Sequence, residues 1–162
     1  MSQSLPEGVR RVQDFLDTKG SGAEVRFLPE STATAQEAAD ALGVTVDRIG
    51  KSIVFGSEAG VVAVAVVCGD QRVDLHALAG RLGAARVKPL RAEEVKRQTG
   101  YAIGGVSPFG LPPGIELFVD ARLRTFSHCY VAAGHPRAVV RVEPESLVGM
   151  TGARVEPIAA AQ

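Results

Sequence analysis

The sequence predicts a single domain of mixed α/β class (α+β in connectivity), and three observations carry that expectation. The chain has 162 residues, 46% of them hydrophobic and 22% charged. That is enough apolar material for one core and too little charge for a disordered chain. Apolar residues recur at both helical and strand spacing. Gly and Pro punctuate the resulting short elements at a steady rhythm, with no linker, repeat or low-complexity stretch between them. Helices and strands are intermixed without the strict alternation of a doubly wound sheet. Residues 1–162 therefore read as one domain, with its core over roughly 9–155.

The elements follow in chain order. Residues 7–19 place Val9, Val12, Phe15 and Leu16 on one helical face, and Gly20 and Gly22 stop the helix. Val25–Leu28 is a short strand before Pro29. Thr34 and Glu37 fit a capping box, in which the Thr hydroxyl accepts from the Glu37 amide and the Glu carboxylate reaches back. The helix they open carries the thin apolar stripe Ala35, Ala38, Ala39 and Leu42, and Gly43 ends it. Ile49–Phe55 and Val61–Cys68 are strands joined around Gly56 and Gly60. The second is almost all Val and Ala, which suits burial on both faces.

Asp74 caps a helix carrying Leu75, Leu78, Ala79 and Leu82. Ala85–Lys88 is a strand and Ala92–Gln98 a short helix. Gly100–Pro113, rich in Gly and Pro, is a structured loop. Ile115–Val119 is a strand. Cys129–Ala133 and Ala138–Val142 flank the turn Gly134-His135-Pro136. Pro144 opens a last helix over 144–149, and the tail from Pro157 is expected to fray.

Lys plus Arg and Asp plus Glu number 18 each, so the net charge is zero. A broad electropositive sheath is excluded, and with it wrapping of DNA; a local basic pocket is not. The longest apolar run, Val61–Cys68, is far too short to span a membrane. Met1–Glu7 shows no basic segment followed by an apolar one, so no leader peptide is expected. Cys68 and Cys129 match no metal or disulfide spacing, and His76, His128 and His135 are scattered. No metal site and no cofactor are expected, and a reducing cytoplasm is the natural compartment. Neither G-x-G-x-x-G nor a P-loop occurs. With no Trp and few aromatics, a broad stacking platform for single strands is not favoured.

Three places could carry chemistry. Lys51, with Ser52, opens an otherwise apolar strand; its ammonium either meets an anionic ligand or snorkels from an edge. The run Tyr101–Gly110 contains Gly104-Gly105, where main chain can approach a ligand without side chains intervening, and Pro108 stiffens its exit. The same run also suits a purely structural tight loop. His135, in a turn between strands, either serves a substrate or faces solvent. His76 reads as helix surface, and Cys68 and Cys129 as core thiols without an activating partner. Ser107 lacks a nucleophile elbow, and no carboxylate pair is recognisable. A hydrolase built on this chain would use backbone groups and the substrate's own functional groups.

Four motifs in register carry a resemblance. They are T-A-x-E-A-A-x-x-L-G-V over Thr34–Val44, I-x-K-S-I-V-F over Ile49–Phe55, G-Y-A-I-G-G-V-S-P-F-G over Gly100–Gly110, and A-A-G-x-P over Ala132–Pro136. Over about Arg11–Val155 the chain resembles the YbaK/prolyl-tRNA-editing-domain family, which also occurs as the insertion domain of bacterial prolyl-tRNA synthetases. The resemblance implies a mixed, strongly curved central sheet flanked by helices. It implies trans-editing by a free-standing domain: hydrolysis of the ester joining a wrong amino acid to the 3′-terminal adenosine of a tRNA, with Ala- or Cys-tRNA(Pro) as the expected substrate. The implied partner is the tRNA acceptor end, with prolyl-tRNA synthetase or an elongation factor as the protein that would supply tRNA affinity.

By the same resemblance the family's lysine falls on Lys51, followed by Ser52 where Thr or Ser is usual. The family's G-x-x-x-P loop falls on Gly104 to Pro108, taking in Gly105, Val106 and Ser107. A substrate-loop glycine falls on Gly134, and His135 sits where relatives vary. Lys51 would place the ester by holding a phosphate or the terminal ribose, while the backbone at Gly104 and Gly105 would polarise the carbonyl. Strand position assigns Phe27, Ile53 and Val106 to the pocket wall. Selection would be steric, as in a second sieve. Arg72–Arg97, with seven Lys/Arg against three Asp/Glu, is either a phosphate-contacting face or a solvated helical surface. The lack of acid/base machinery keeps open a non-catalytic module for an aminoacyl-adenosine, nucleotide or synthetase ligand; a general small-ester hydrolase is a third reading.

Overall fold

The computed structural model describes residues 5–161. Met1–Ser4, most of the stretch read for a leader, and Gln162 lie outside the described residues. Five helices and ten strands follow one another as α1 (Glu7–Thr18), β1 (Arg26–Phe27), α2 (Ala35–Leu42), β2 (Ile49–Ser57), β3 (Val62–Cys68), β4 (Gln71–Val73), α3 (Leu75–Leu82), β5 (Val87–Pro89), α4 (Ala92–Thr99), β6 (Glu116–Asp120), β7 (Cys129–Ala132), β8 (Ala138–Val142), α5 (Pro144–Thr151), β9 (Arg154–Glu156) and β10 (Ala159–Ala161). Short 3-10 turns at Val46–Arg48 and Ala121–Thr125 precede β2 and follow β6.

The main sheet runs β1-β8-β7-β2-β3-β6-β9, with β5 also on β2. It is mixed: β2–β7, β3–β6 and β6–β9 are parallel and the other pairs antiparallel. β3 is its centre, and its period of two sorts the core. Val62, Val64, Val66 and Cys68 face the cluster containing Val9, Val12 and Leu16 of α1. Ala63, Ala65 and Val67 face Val73, Leu78 and Ala79 around α3. Both faces of β3 are thus buried, as its Val/Ala run implies. The Thr34–Glu37 capping box forms with both reciprocal bonds.

The structure corrects the expectation for the tail. Residues 159–161 pair antiparallel with Gln71–Val73, and Ile158 is fully buried in the α3-side cluster. Burial of one large aliphatic side chain and a closed three-residue ladder outweigh the fraying expected of a short polar-flanked terminus. The strand expected at Val25–Leu28 is confined to β1, and the one expected at Ala85–Lys88 is shifted to Val87–Pro89, where the residues meet a partner strand. Among the described residues, no helix is long and apolar enough to cross a membrane.

The arrangement that matters most is the split outer edge of β2. β7 pairs with it at Ile49 and Gly50, and β5 from Phe55 to Ser57. The Leu90 amide closes the β5 side on the Val54 carbonyl at 2.9 Å. Between the two partners the edge at Lys51–Ile53 is open. Alternate residues of a strand direct N–H and C=O to the same edge. Since Val54 points its carbonyl outward, Ser52 also directs its amide and carbonyl into the gap.

Candidate active site

Two adjoining chambers fill this gap. The smaller, about 80 Å³, is walled by Thr32, Ala38 and Ile49 and floored by Tyr130, Ala132 and Val139. The larger, about 470 Å³, is predominantly apolar, with Ile53, Pro89, Leu90, Val95 and Ile103 around it. Lys51, Ser52, Gly104 and Val106 line both, so the lysine and the Gly-rich loop face each other across one cleft. The capped N-terminus of α2 forms its third side through Ala33, Thr34 and Ala35.

Lys51 shares its strand face with Ile53 and Phe55, which pack on the α3 side. Its ammonium donates to the Gln71 carbonyl at 2.6 Å. An ammonium has three N–H donors, so two stay available to a ligand. Partial burial draws its pKa below the usual lysine range, and the Asp70 carboxylate opposes that shift. On the opposite face of β2, the Ser52 hydroxyl oxygen is buried without a hydrogen-bond partner.

The loop is built from beneath. The Tyr101 hydroxyl donates to the Phe109 carbonyl, and the Arg11 guanidinium lies 4.6 Å from the Tyr101 ring centroid while its Nε donates to the Gly110 carbonyl at 2.6 Å. These bonds clamp the two ends of the loop. Gly104 adopts φ +86°, a region that costs other residues roughly 1–2 kcal/mol. A Cβ on Gly105 would stand 2.8 Å from the His135 amide nitrogen. Among the described residues, the amides of Gly104 and Val106 donate to no protein acceptor, whereas the Gly105 amide is bonded to the Ala102 carbonyl at 2.9 Å.

The expected site residues divide into three groups. Lys51, Ser52, Ile53, Gly104 and Val106 meet at the cleft. Gly105 and Gly134 support it from behind: the Gly134 amide donates to the Gly105 carbonyl at 2.9 Å, and Gly134 itself, at φ +89°, packs main chain to main chain on Gly8. Phe27, Ser107, Pro108 and His135 line neither chamber. Ser107 and Pro108 are buried under the loop, and the Ser107 hydroxyl accepts from the Phe109 amide at 3.2 Å. The His135 ring packs against Phe27 at a tilt of 57° with centroids 5.3 Å apart, and its Nδ1 accepts from the Arg137 amide at 3.1 Å.

The walls at Thr32–Ala35, Tyr130, Ala132 and Val139 escaped sequence reasoning, because strand pairing brings in the last three and the bond from the Thr32 amide to the Pro136 carbonyl at 2.6 Å brings in the first segment. The Arg72–Arg97 cations are dispersed. Arg81 and Arg97 pair with Glu156 and Glu94, Lys96 donates to the Gly100 carbonyl at 3.0 Å, and Lys88 and Arg91 stand exposed beside the larger chamber. Among the described residues, no group of three or more His, Cys, Asp or Glu side chains is placed to hold a metal ion.

The cleft thus offers a partly desolvated cation, unpaired amides and an apolar wall, with no carboxylate or imidazole among its lining. Comparison with known proteins identifies the family. The family model "Aminoacyl-tRNA editing domain" matches residues 29–150. A candidate Cys-tRNA(Pro)/Cys-tRNA(Cys) deacylase of Enterococcus faecalis is 31% identical over 130 residues, covering 80% of this chain and 79% of that protein. A multifunctional Ser/Thr-tRNA deacylase of Escherichia coli is 30% identical, covering 65% of this chain and 73% of that one. The crystal structure of a candidate trans-editing enzyme for prolyl-tRNA synthetase superposes with a TM-score of 0.88 at 39% identity, covering 98% of this chain and all of that one. By family model and by relatives alike, this chain belongs to the aminoacyl-tRNA editing domain family.

Proposed function

We propose that this protein is an aminoacyl-tRNA deacylase acting in trans on mischarged tRNA, with Ala- or Cys-tRNA(Pro) as its substrate. The observation that carries the reading is the meeting of Lys51 with the Gly104 loop across one cleft. The terminal adenosine suits the larger, apolar chamber and the aminoacyl group the smaller one. Lys51 directs its remaining N–H donors to the ribose or its phosphate, which positions the ester.

Water attacks the acyl carbon and the ribose oxygen departs with a proton, releasing free amino acid and intact tRNA. Charge develops on the carbonyl oxygen as the new C–O bond forms. The free amides of Gly104, Val106 and Ser52 are the available donors for it. One such donor is worth roughly 2.7–4 kcal/mol in known oxyanion holes. An aminoacyl ester is already activated, so positioning with this help is sufficient chemistry. The adenosine's free hydroxyl is the group that can orient the water, since the cleft lining supplies no carboxylate or imidazole.

Selection rests on volume. The wall formed by Ile49, Tyr130 and Val139 would admit a methyl, hydroxymethyl or mercaptomethyl side chain and would meet the ring carbons of a prolyl group. The Thr32 hydroxyl donates to the Pro136 carbonyl at 3.0 Å, which leaves the buried, unpartnered Ser52 hydroxyl as a polar group of the wall.

The partner on this reading is the tRNA acceptor end in the cytoplasm, delivered by prolyl-tRNA synthetase or an elongation factor. Incubation with Ala-, Cys-, Ser- and Pro-charged tRNA(Pro) tests it: release from a small-residue ester but not from Pro-tRNA(Pro) is expected. Release no faster than in buffer from every mischarged tRNA would sink it. The absence of carboxylate and imidazole groups among the cleft-lining side chains supports the competing reading, a binding module for aminoacyl-adenosine. Tight binding of a nonhydrolysable aminoacyl-adenosine without ester turnover would decide for that.

A further inference from the structure

The floor of the smaller chamber continues outward into a strip of unpaired guanidinium groups. Tyr130 lines the chamber, and its Cα partner across the β7–β8 ladder is Arg141. Directly opposed residues project from the same face of a sheet. The His128 ring meets Tyr130 edge-on with centroids 6.2 Å apart, and its Nδ1 lies 3.3 Å from the Arg141 guanidinium. A depression of about 310 Å³ opens here, with His128, Arg141 and Glu143 in its lining. Arg48, immediately before β2, sits 5.2 Å from the centroid of the Phe126 ring. Burial first, then the charges of Arg141 and Arg48, hold the His128 imidazole below its usual pKa, against Glu143.

Among the described residues, neither Arg48 nor Arg141 has a carboxylate partner. The neighbouring acids are engaged elsewhere: Asp47 with Arg122 and Glu145 with Arg124. Glu143 is the one carboxylate in the depression, and it receives the Ser146 hydroxyl at 3.5 Å. The other flank of the cleft has the opposite sign. There Glu30, Glu37 and Asp40 line a depression beside α2. A polyanion leaving the cleft is therefore repelled along α2 and attracted along β7–β8.

We propose that Arg48 and Arg141, with Tyr130 and Phe126 beside them, receive the phosphates and bases of the single-stranded 3′ end of tRNA just upstream of its terminal adenosine. The inference rests on the reading of the cleft as the site of that adenosine. A guanidinium fork matches phosphate oxygens in two-point contact. Half-buried aromatic rings such as Tyr130 and Phe126 can still offer an edge or a face to an unstacked base without regard to sequence. A domain with no net charge can hold tRNA this way because Arg48 and Arg141 lie along the proposed path without carboxylate partners among the described residues.

The test compares Arg48→Ala, Arg141→Ala and their combination with Lys88→Ala/Arg91→Ala, on the opposite flank beyond the larger chamber. Circular dichroism confirms folding. In the Arg48/Arg141 double variant, KM for mischarged tRNA is expected to rise about tenfold with kcat within twofold, as for loss of phosphate contacts. Hydrolysis of a minimal aminoacyl-adenosine should not change. For deacylated tRNA, the slope of log affinity against log salt should fall by about 1.4, the value for two single-strand phosphate contacts. An unchanged KM and salt slope would overturn the assignment, as would the same losses appearing only in the Lys88/Arg91 variant. If wild-type protein binds tRNA with this signature but frees no amino acid, the deacylase reading fails while the surface stands.

Discussion

The Lys51 ammonium is bonded to the main-chain carbonyl of Gln71 at 2.6 Å, which ties the cation of the cleft to the small strand β4. Partial burial lowers the Lys51 pKa from 10.5, and Asp70 works in the other direction. Between the lowered folded value and 10.5, the unfolded chain holds the extra proton. Stability therefore rises with pH across that window, and the buried cation is a cost below it. Asp70→Asn removes the opposing charge and should lower the Lys51 midpoint further. Side-chain NMR titration of Lys51 reads this directly; a midpoint at or above 10.5, or one unmoved by the substitution, would refute it.

Removing the ammonium separates its role from folding. Lys51→Ala should lower deacylation by about a hundredfold, the scale of loss for a misplaced ester. The urea midpoint should stay near wild type, because the charge is a net cost in the fold. A fully active Lys51→Ala protein would eliminate the proposed anchor.

The loop glycines predict a graded series. Ala at Gly134 meets Gly8 main-chain atoms at 2.3 Å and also needs φ +89°. Ala at Gly104 meets the Ala33 side chain at 2.9 Å with φ +86°. Gly114 has φ +92° and nothing within 4 Å. Gly114→Ala should cost only about 1–2 kcal/mol of backbone strain. Gly104→Ala should add part of an overpacking cost of about 1–3 kcal/mol, and Gly134→Ala should exceed both, since backbone cannot swing aside. Urea denaturation gives the order; equal midpoints for the three variants would contradict it.

What could be read from residues alone follows the range of the interaction that forms it. The α2 capping box needs only Thr34 and Glu37, three residues apart, and it is present as expected. The burial of β3 on both faces is visible in its own composition. β4, β9 and β10 are three residues each. They are too short to show alternation, and β10 exists because it reaches back to Gln71–Val73. The cleft divides in the same way. Lys51 and Gly104 are conspicuous in sequence as a cation in an apolar strand and a glycine pair. Tyr130 and Val139 reach the cleft through pairing with residues far away in the chain. His135 stood out by residue type, yet the β7–β8 turn directs its ring to Phe27.

The two thiols should be inert in the native protein. Burial pushes Cys68 up to about 11, with Arg122 opposing, and Cys129 up to about 12. Both are free and buried, so neither the thiolate nor access to it is available near neutral pH. A disulfide-exchange reagent at pH 8 should label neither cysteine until denaturant is added, and then both. Rapid labelling of one thiol in native buffer would show that the corresponding core face opens.

Asp120 couples the C-terminal tail to the cleft. It is 4% exposed; its Oδ1 accepts from the Ile158 amide at 2.9 Å and the Ala159 amide at 3.0 Å, and its Oδ2 from the Arg122 amide at 3.1 Å. These bonds hold β10 against β4, and β4 carries the Gln71 carbonyl that receives Lys51. Asp120→Ala strands two tail amides, at about 1–3 kcal/mol for each buried group left unpaired. Hydrogen exchange at Ile158–Ala161 and at Arg72 should accelerate strongly while β3 amides slow or speed only with global stability. The Lys51 side-chain resonance should shift in the same variant, because its carbonyl partner loses its brace. Asp120→Asn, which retains one carbonyl oxygen as acceptor, should give a smaller effect of the same kind. Tail amides exchanging at the wild-type rate in Asp120→Ala would show that the apolar contacts of Ile158 suffice to hold β10. An unmoved Lys51 signal beside a loosened tail would break the proposed coupling between the two.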